Sequence, residues 1–183
     1  ISVIEDRREG FLLSVLVSPM SRSGVALGKI LGGATLAFLQ GFLFVLVAPF
    51  VGVFIDFQKV VLLAGVLFMT AFSLTALGFA LAWKMDSIQG FHAVMNLLLF
   101  PMWLLSGAVF PLSGASNWVG WIMKINPVAY QVATIRHIFY GGGSYLEAEL
   151  PSFPTALLVS VAFSIVVFVA SLLVVRINRT SGS

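Results

Sequence analysis

Two long stretches without a charged side chain, Ile30 to Ile55 and Val60 to Trp83, constrain this chain more than any other feature. A helix needs about 20 largely apolar residues to cross a hydrocarbon core of about 30 Å, where the backbone has no water to bond. Both stretches meet that length, and the segment Asp56-Phe57-Gln58-Lys59 between them leaves room only for a tight turn at one membrane face. The pair reads as a membrane-spanning helical hairpin. Composition points the same way: 60% of the residues are hydrophobic and 9% charged, against about a quarter charged in soluble domains.

Two further spans follow. The uncharged run from Ser87 to Met123 is too long for one crossing, and Pro111 with Ser113-Gly114-Ala115-Ser116-Asn117 breaks it, so a third span is expected over 87–110. A fourth, over 152–175, opens with Pro154, which a first helical turn tolerates, and closes at Arg176, Asn178 and Arg179. The expected fold class is all-α, a polytopic membrane helical bundle in a single domain. Its parts are residues 1–29, spans 30–55, 60–83, 87–110 and 152–175, a segment 111–151 on the far side, and a tail 176–183. The opening Ile1-Ser2-Val3-Ile4, without an initiator methionine, reads as the start of a fragment whose upstream part is absent.

Basic residues near spans stay in the cytoplasm. Arg7, Arg8, Arg22, Lys29, Lys84, Arg176 and Arg179 fall on one side, against Lys59, Lys124 and Arg136 on the other, so both termini are expected to be cytoplasmic. Trp103, Trp118, Trp121, Tyr130 and Tyr140 gather around the outer end of the third span and beyond it, as rings do at a membrane–water interface.

Chemistry-bearing motifs are missing. With no cysteine and only His92 and His137, the chain offers too few ligands for a zinc centre. Gly24-x-x-x-Gly28-Lys29-Ile30 has one spacer too few for a phosphate loop and lacks the Ser or Thr that holds magnesium. No catalytic triad or paired carboxylates are present, and ten basic against seven acidic side chains give no nucleic-acid signature. The chain is expected to be neither an enzyme nor a holder of cofactor or metal.

Two segments between the spans carry more information. In the first, Phe11, Leu12, Val15 and Leu16 follow helical spacing in a short apolar stretch flanked by charge and ended by Ser18-Pro19. It reads as a short interfacial helix, either a connector or a docking helix for a cytosolic partner. In the second, Pro111 and Pro127 bracket about 15 apolar-rich residues, too short to span. These are expected to form short interfacial or re-entrant helices.

Both segments carry a resemblance. Arg8-Glu9-Gly10, Leu12, Leu16, Ser18-Pro19, Arg22 and Gly28-Lys29 resemble the coupling segment of type-two ABC transporter permeases, exporters of drugs, polysaccharides and lipids. Where that family usually continues Thr-Leu-Glu, this chain has Phe11-Leu12-Leu13, losing one polar and one acidic position. Ser106-Gly107, Phe110-Pro111, Asn126-Pro127, Tyr130 and Arg136 are similar to the family's second feature, a Leu-Ser-Gly-x-x-Phe-Pro exit followed by Asn-Pro-x-x-Tyr and an Arg.

The resemblance implies a permease subunit of six spans, of which this chain would hold the third to the sixth. It further implies a second permease subunit, identical or different, in the cytoplasmic membrane of a prokaryote, with lipid around both. A separate cytosolic ABC ATPase, with ATP and magnesium bound there, would press on Arg8, Glu9, Gly10, Leu12, Leu16 and Pro19.

Within the spans, Gln89, His92 and Asn96 share one helical face. Intramembrane polar groups avoid lipid, so this face is expected to point into the bundle or a wet cavity, as interhelical glue or as a substrate or proton path. With Asp86 near its end, it also admits a secondary transporter; the absence of charge within spans admits a membrane scaffold. Gln40 lies alone in mid-span and reads as glue. Gly24, Gly28 and Gly32, and on another face Gly33, Ala37 and Gly41, form small-residue ladders suited to close packing or simply to lipid.

Overall fold

The computed structural model describes residues 3–5, 21–53, 55–109, 116–140 and 151–177. Among them every regular element is helical: α1 (Arg22–Val47), a 3-10 turn (Ala48–Val51), α2 (Phe57–Ala82), α3 (Ile88–Leu104), α4 (Asn117–Ile125), α5 (Pro127–Tyr140) and α6 (Phe153–Ile177). Arg22–Phe50, Phe57–Ala82 and Phe153–Arg176 are long and apolar enough to cross a membrane, and Ile88–Leu104 is a shorter apolar helix. The chain folds as a membrane helical bundle.

Helix ends follow local chemistry. Ser21, Asp56 and Ser87 each cap the helix they precede, accepting from the backbone N–H groups of Gly24, Lys59 and Gly90 at 3.1, 2.8 and 3.1 Å; such caps satisfy donors that a first turn leaves orphaned. α1 therefore starts eight residues before the expected span, so that residues 22–29 form its first two turns rather than part of a separate segment. Pro49 stops it, and Gly52, at φ +86°, closes the turn. The turn thus begins at Ala48, and Phe57, Gln58 and Lys59 already belong to α2.

α3 is shorter than the expected 87–110. Pro101 sits inside its last turn, the Ser106 hydroxyl donates to the Trp103 carbonyl at 2.6 Å, and Gly107 takes a left-handed φ of +82°. Each change withdraws a group from the helical ladder, so the chain turns away after Leu104. Seventeen residues rise about 25 Å, short of a full hydrocarbon crossing of about 30 Å.

α2 is the centre, with α1, α5 and α6 packed along it. Against α1 the approach is close at Gly33, where an added Cβ would stand 2.9 Å from Thr75 Cγ2. The Phe38 and Phe68 rings meet edge-on at 5.8 Å in the same seam. Against α6 the seam is Ala156, Ser160, Ser164, Val167, Ser171 and Val175, all buried and spaced three or four apart. There the Ser171 hydroxyl reaches the Ala76 carbonyl at 2.8 Å as well as its own Val167 carbonyl at 2.7 Å. One cluster joins Val3 and Ile4 to Ala26, Ile30, Ala76, Phe79, Trp83, Phe91, Val167 and Val175; a smaller one joins Leu63, Val66 and Ile138.

This distribution inverts that of a soluble protein. Phe44, Phe50 and Leu97 are 80%, 90% and 79% exposed, whereas Ser73, Gln131, Thr134, Ser160 and Ser171 are fully buried. Large apolar side chains turned outward and hydroxyls turned inward are what a lipid solvent selects, since lipid offers polar groups nothing to bond.

Candidate functional site

α3, α4 and α5 are stitched together by side chains that take up orphaned helix-end carbonyls. At the end of α3, the Pro101 carbonyl accepts from the Leu105 N–H and that of Trp103 from the Ser106 N–H. The Met102 carbonyl accepts instead from Asn126 Nδ2 at 2.6 Å. Asn126 Oδ1 in turn accepts from the Val128 N–H at 3.1 Å, capping α5, whose first residue is Pro127 and has no N–H to satisfy. Tyr130 Oη donates to the Lys124 carbonyl at the end of α4, at 2.7 Å. Ser106, Gly107, Asn126, Pro127 and Tyr130 are therefore the joints of a three-helix corner. Arg136 Nη2 reaches the Ala108 carbonyl at 3.4 Å, a long contact at its edge. Phe110 and Pro111 lie outside the described residues.

The corner is not confined to the surface. Gln131, fully buried on α5, donates from Nε2 to Ser73 Oγ at 2.6 Å. Ser73 lies sixteen residues along α2 from Phe57, about 24 Å at helical rise. α5 therefore enters the bundle between α2 and α6 and climbs antiparallel to α2, with Ile138 against Leu63 and Val66. His137 Nε2 donates to the Pro151 carbonyl at 2.8 Å and ties the top of α5 to the start of α6. Sequence reasoning missed Ser73, Gln131 and Thr134. Gln131 and Thr134 stand three apart, a spacing that marks one face, but the segment's shortness hid that it sits at membrane depth.

The polar face of α3 does not point into this chain's bundle. Gln89, His92 and Asn96 are all exposed. α3 seats itself through Ile88, Phe91 and Met95, one position away around the helix, and the polar trio is turned outward as a result. Gln89 Oε1 accepts from Ser87 Oγ at 3.2 Å, and the His92 ring meets Phe91 edge-on at 6.0 Å. Neither contact crosses to another helix. Gln40 is likewise exposed on α1, not glue within this chain. Of the glycine ladders, Gly33 packs on Thr75, while Gly28 and Gly32 have nothing within 4 Å of an added Cβ.

α4 turns its apolar stripe outward. Trp118, Trp121, Ile122 and Ile125 are exposed at i, i+3, i+4 and i+7, with the Lys124 ammonium 5.5 Å from the Trp121 ring centroid. The segment holding Arg8, Glu9, Gly10, Leu12, Leu16 and Pro19 lies outside the described residues.

The sequence model of one family, described as ABC-2 type transporter, matches residues 1–140. The chain belongs to the ABC-2 type transporter family. A transport permease of Cyanophora paradoxa, ycf38, is 28% identical over 139 residues, 75% of this chain and 48% of that protein. Nodulation protein J of Sinorhizobium fredii strain NGR234 is 28% identical over 137 residues, 73% of this chain and 52% of that protein. The chain spans about half the length of the curated relatives it matches. The ABC-2 match takes in α1 to α5 with the stitched corner, and α6, beyond it, packs against both α2 and α5. This is a multi-pass membrane protein of the ABC-2 type transporter family.

Proposed function

We propose that this permease is the membrane half of an ATP-driven exporter, working with a separate cytosolic ATPase and a second permease subunit. The observation that carries the reading is the outward-facing row Gln89, His92 and Asn96 on a helix whose other exposed residues include Leu97, Leu98 and Phe100. Polar groups at membrane depth are costly against lipid and belong against protein or water. A second subunit applied to α3 would give them both, enclosing a path between the two copies.

In this reading both termini are cytoplasmic, the ATPase engages Arg8 to Pro19, and nucleotide-driven closure shifts the bundle between inward and outward states. ATP and magnesium act in the partner, and this chain is not the enzyme. The cargo class stays at hydrophobic or amphipathic solutes, which an apolar conduit accepts.

This chain has no cysteine, so single-site labelling in a complete permease otherwise free of thiols tests the reading directly. Asn96→Cys should react with a membrane-impermeant thiol reagent or form a disulfide between subunits, while Leu97→Cys should do neither. Equal behaviour of the two sites would remove the basis for a path along α3. Glu9→Arg should weaken co-purification of the ATPase. Transport that survives ATP depletion but collapses with the proton gradient would point instead to a secondary transporter using the same face.

A further inference from the structure

Two hydroxyls stand three residues apart on α2, Ser73 and Thr70, and only Ser73 bonds to α5. Ser73 accepts from Gln131 Nε2 and donates to the Thr70 carbonyl at 2.9 Å. Thr70 Oγ1 is buried without a hydrogen-bond partner, and so is Gln131 Oε1. Elsewhere the hydroxyls of Thr35, Thr134, Ser160 and Ser164 fold back on the carbonyl four residues earlier, each at 2.8 Å. Thr70 does not. A buried polar group left unpaired is costly, and such groups persist where another state uses them.

We propose that Ser73 and Thr70 are two alternative seats for Gln131, and that α5 ratchets one turn along α2 between them. The seats are three residues apart on one face of α2, about 4.5 Å along its axis. Moving toward Thr70 carries α5 toward the Phe57 end of α2, away from the bundle interior. The apolar contacts permit the step, because Ile138 clusters with Leu63 and Val66, and a one-turn shift toward Phe57 carries it off Val66 to Leu63 and the half-buried Val60, nearer the exposed end of α2. α3 can follow through the Asn126 joint to Met102, since Phe91 is its one buried residue. Packed helices hold discrete registers rather than sliding continuously, so two seats define two states. The inference deepens the permease reading by naming the element that opens the far end of the path, and it rests on that reading for the direction of transport.

Its test needs no ATPase and no substrate. Ile138→Cys in the complete permease places one thiol at a site 7% exposed in the seated state; its labelling rate by a water-soluble maleimide in liposomes reports how often α5 leaves the Ser73 seat. Adding Ser73→Ala should raise the rate about fivefold, the ratio carried by one interhelical hydrogen bond in a bilayer. Adding Thr70→Ala should lower it by a similar factor, Thr70→Ser should leave it unchanged, and the Ser73→Ala, Thr70→Ala pair should return close to the parent rate. A Thr70→Ala rate equal to the parent, or raised as by Ser73→Ala, overturns the ratchet. Either result would leave the exporter reading untouched, since that reading is tested at Asn96 and Glu9.

Discussion

Gly33→Ala measures how tightly the α1–α2 hairpin closes. The added Cβ would stand 2.9 Å from Thr75 Cγ2, closer than carbon atoms pack, while the Thr75 hydroxyl is 4.0 Å away and poses no obstacle. Both partners sit on helices whose backbones are fixed by continuous hydrogen bonding, so the overlap has to be relieved by a rotamer change or a backbone shift. Overpacking of this kind costs about 1–3 kcal/mol. Replacing glycine within a helix returns about 1 kcal/mol of that.

Gly32→Ala is the internal control, because nothing lies within 4 Å of its added Cβ and the helix-propensity gain is the same. The gap between the two variants therefore isolates the clash, about 2 kcal/mol, or a separation of about 4–8 °C in thermal midpoint for a protein of this size. The assay is intrinsic-fluorescence thermal unfolding of the purified protein in detergent. Thr75→Ser removes the clashing methyl and should rescue Gly33→Ala but leave Gly32→Ala unaffected. Equal midpoints for Gly33→Ala and Gly32→Ala, or no rescue by Thr75→Ser, would refute the close approach at this position.

Two other substitutions bear on the buried polar joints. Gln131→Met keeps the side-chain volume and removes both an interhelical bond of about 1 kcal/mol and an unsatisfied oxygen costing about 1–3 kcal/mol; its midpoint should match or exceed the parent's in the same unfolding assay. Gln131→Ala adds a cavity and should fall several degrees below it. Asn126→Ala should destabilise by about 1–3 kcal/mol, losing the α5 cap and the donor to Met102 together. Asn126→Asp keeps the cap and should fall between Ala and the parent, as read by hydrogen exchange of the Val128 amide.

How much of this was legible beforehand differs by element. α1, α2 and α6 were visible because an uncharged run of more than twenty residues has few alternatives to a spanning helix. Their ends were misplaced where a cap or a proline decided them, at Ser21 and Pro49. Gln89, His92 and Asn96 share one face by their spacing, but periodicity fixes only the angle between side chains on a helix. It does not say which face the rest of the fold covers, and here Ile88, Phe91 and Met95 took the inner position. The motif residues Ser106, Gly107, Asn126, Pro127 and Tyr130 were singled out by resemblance, and their work as acceptor-satisfying joints emerged only when the helix ends were seen side by side.

By itself, the amino-acid sequence determined the solvent in which this protein lives, because charge content and run length set transfer free energies that no arrangement can undo. It also determined the helical class, since a single segment in lipid must satisfy its own backbone. The tertiary structure alone decided that a helix too short to span, α5, is buried to the depth of Ser73. Burial there depends on Gln131 finding a hydroxyl on α2, 58 positions away, and on α6, itself bonded to α2 from Ser171 to Ala76, packing beside α5, contacts that local pattern cannot encode.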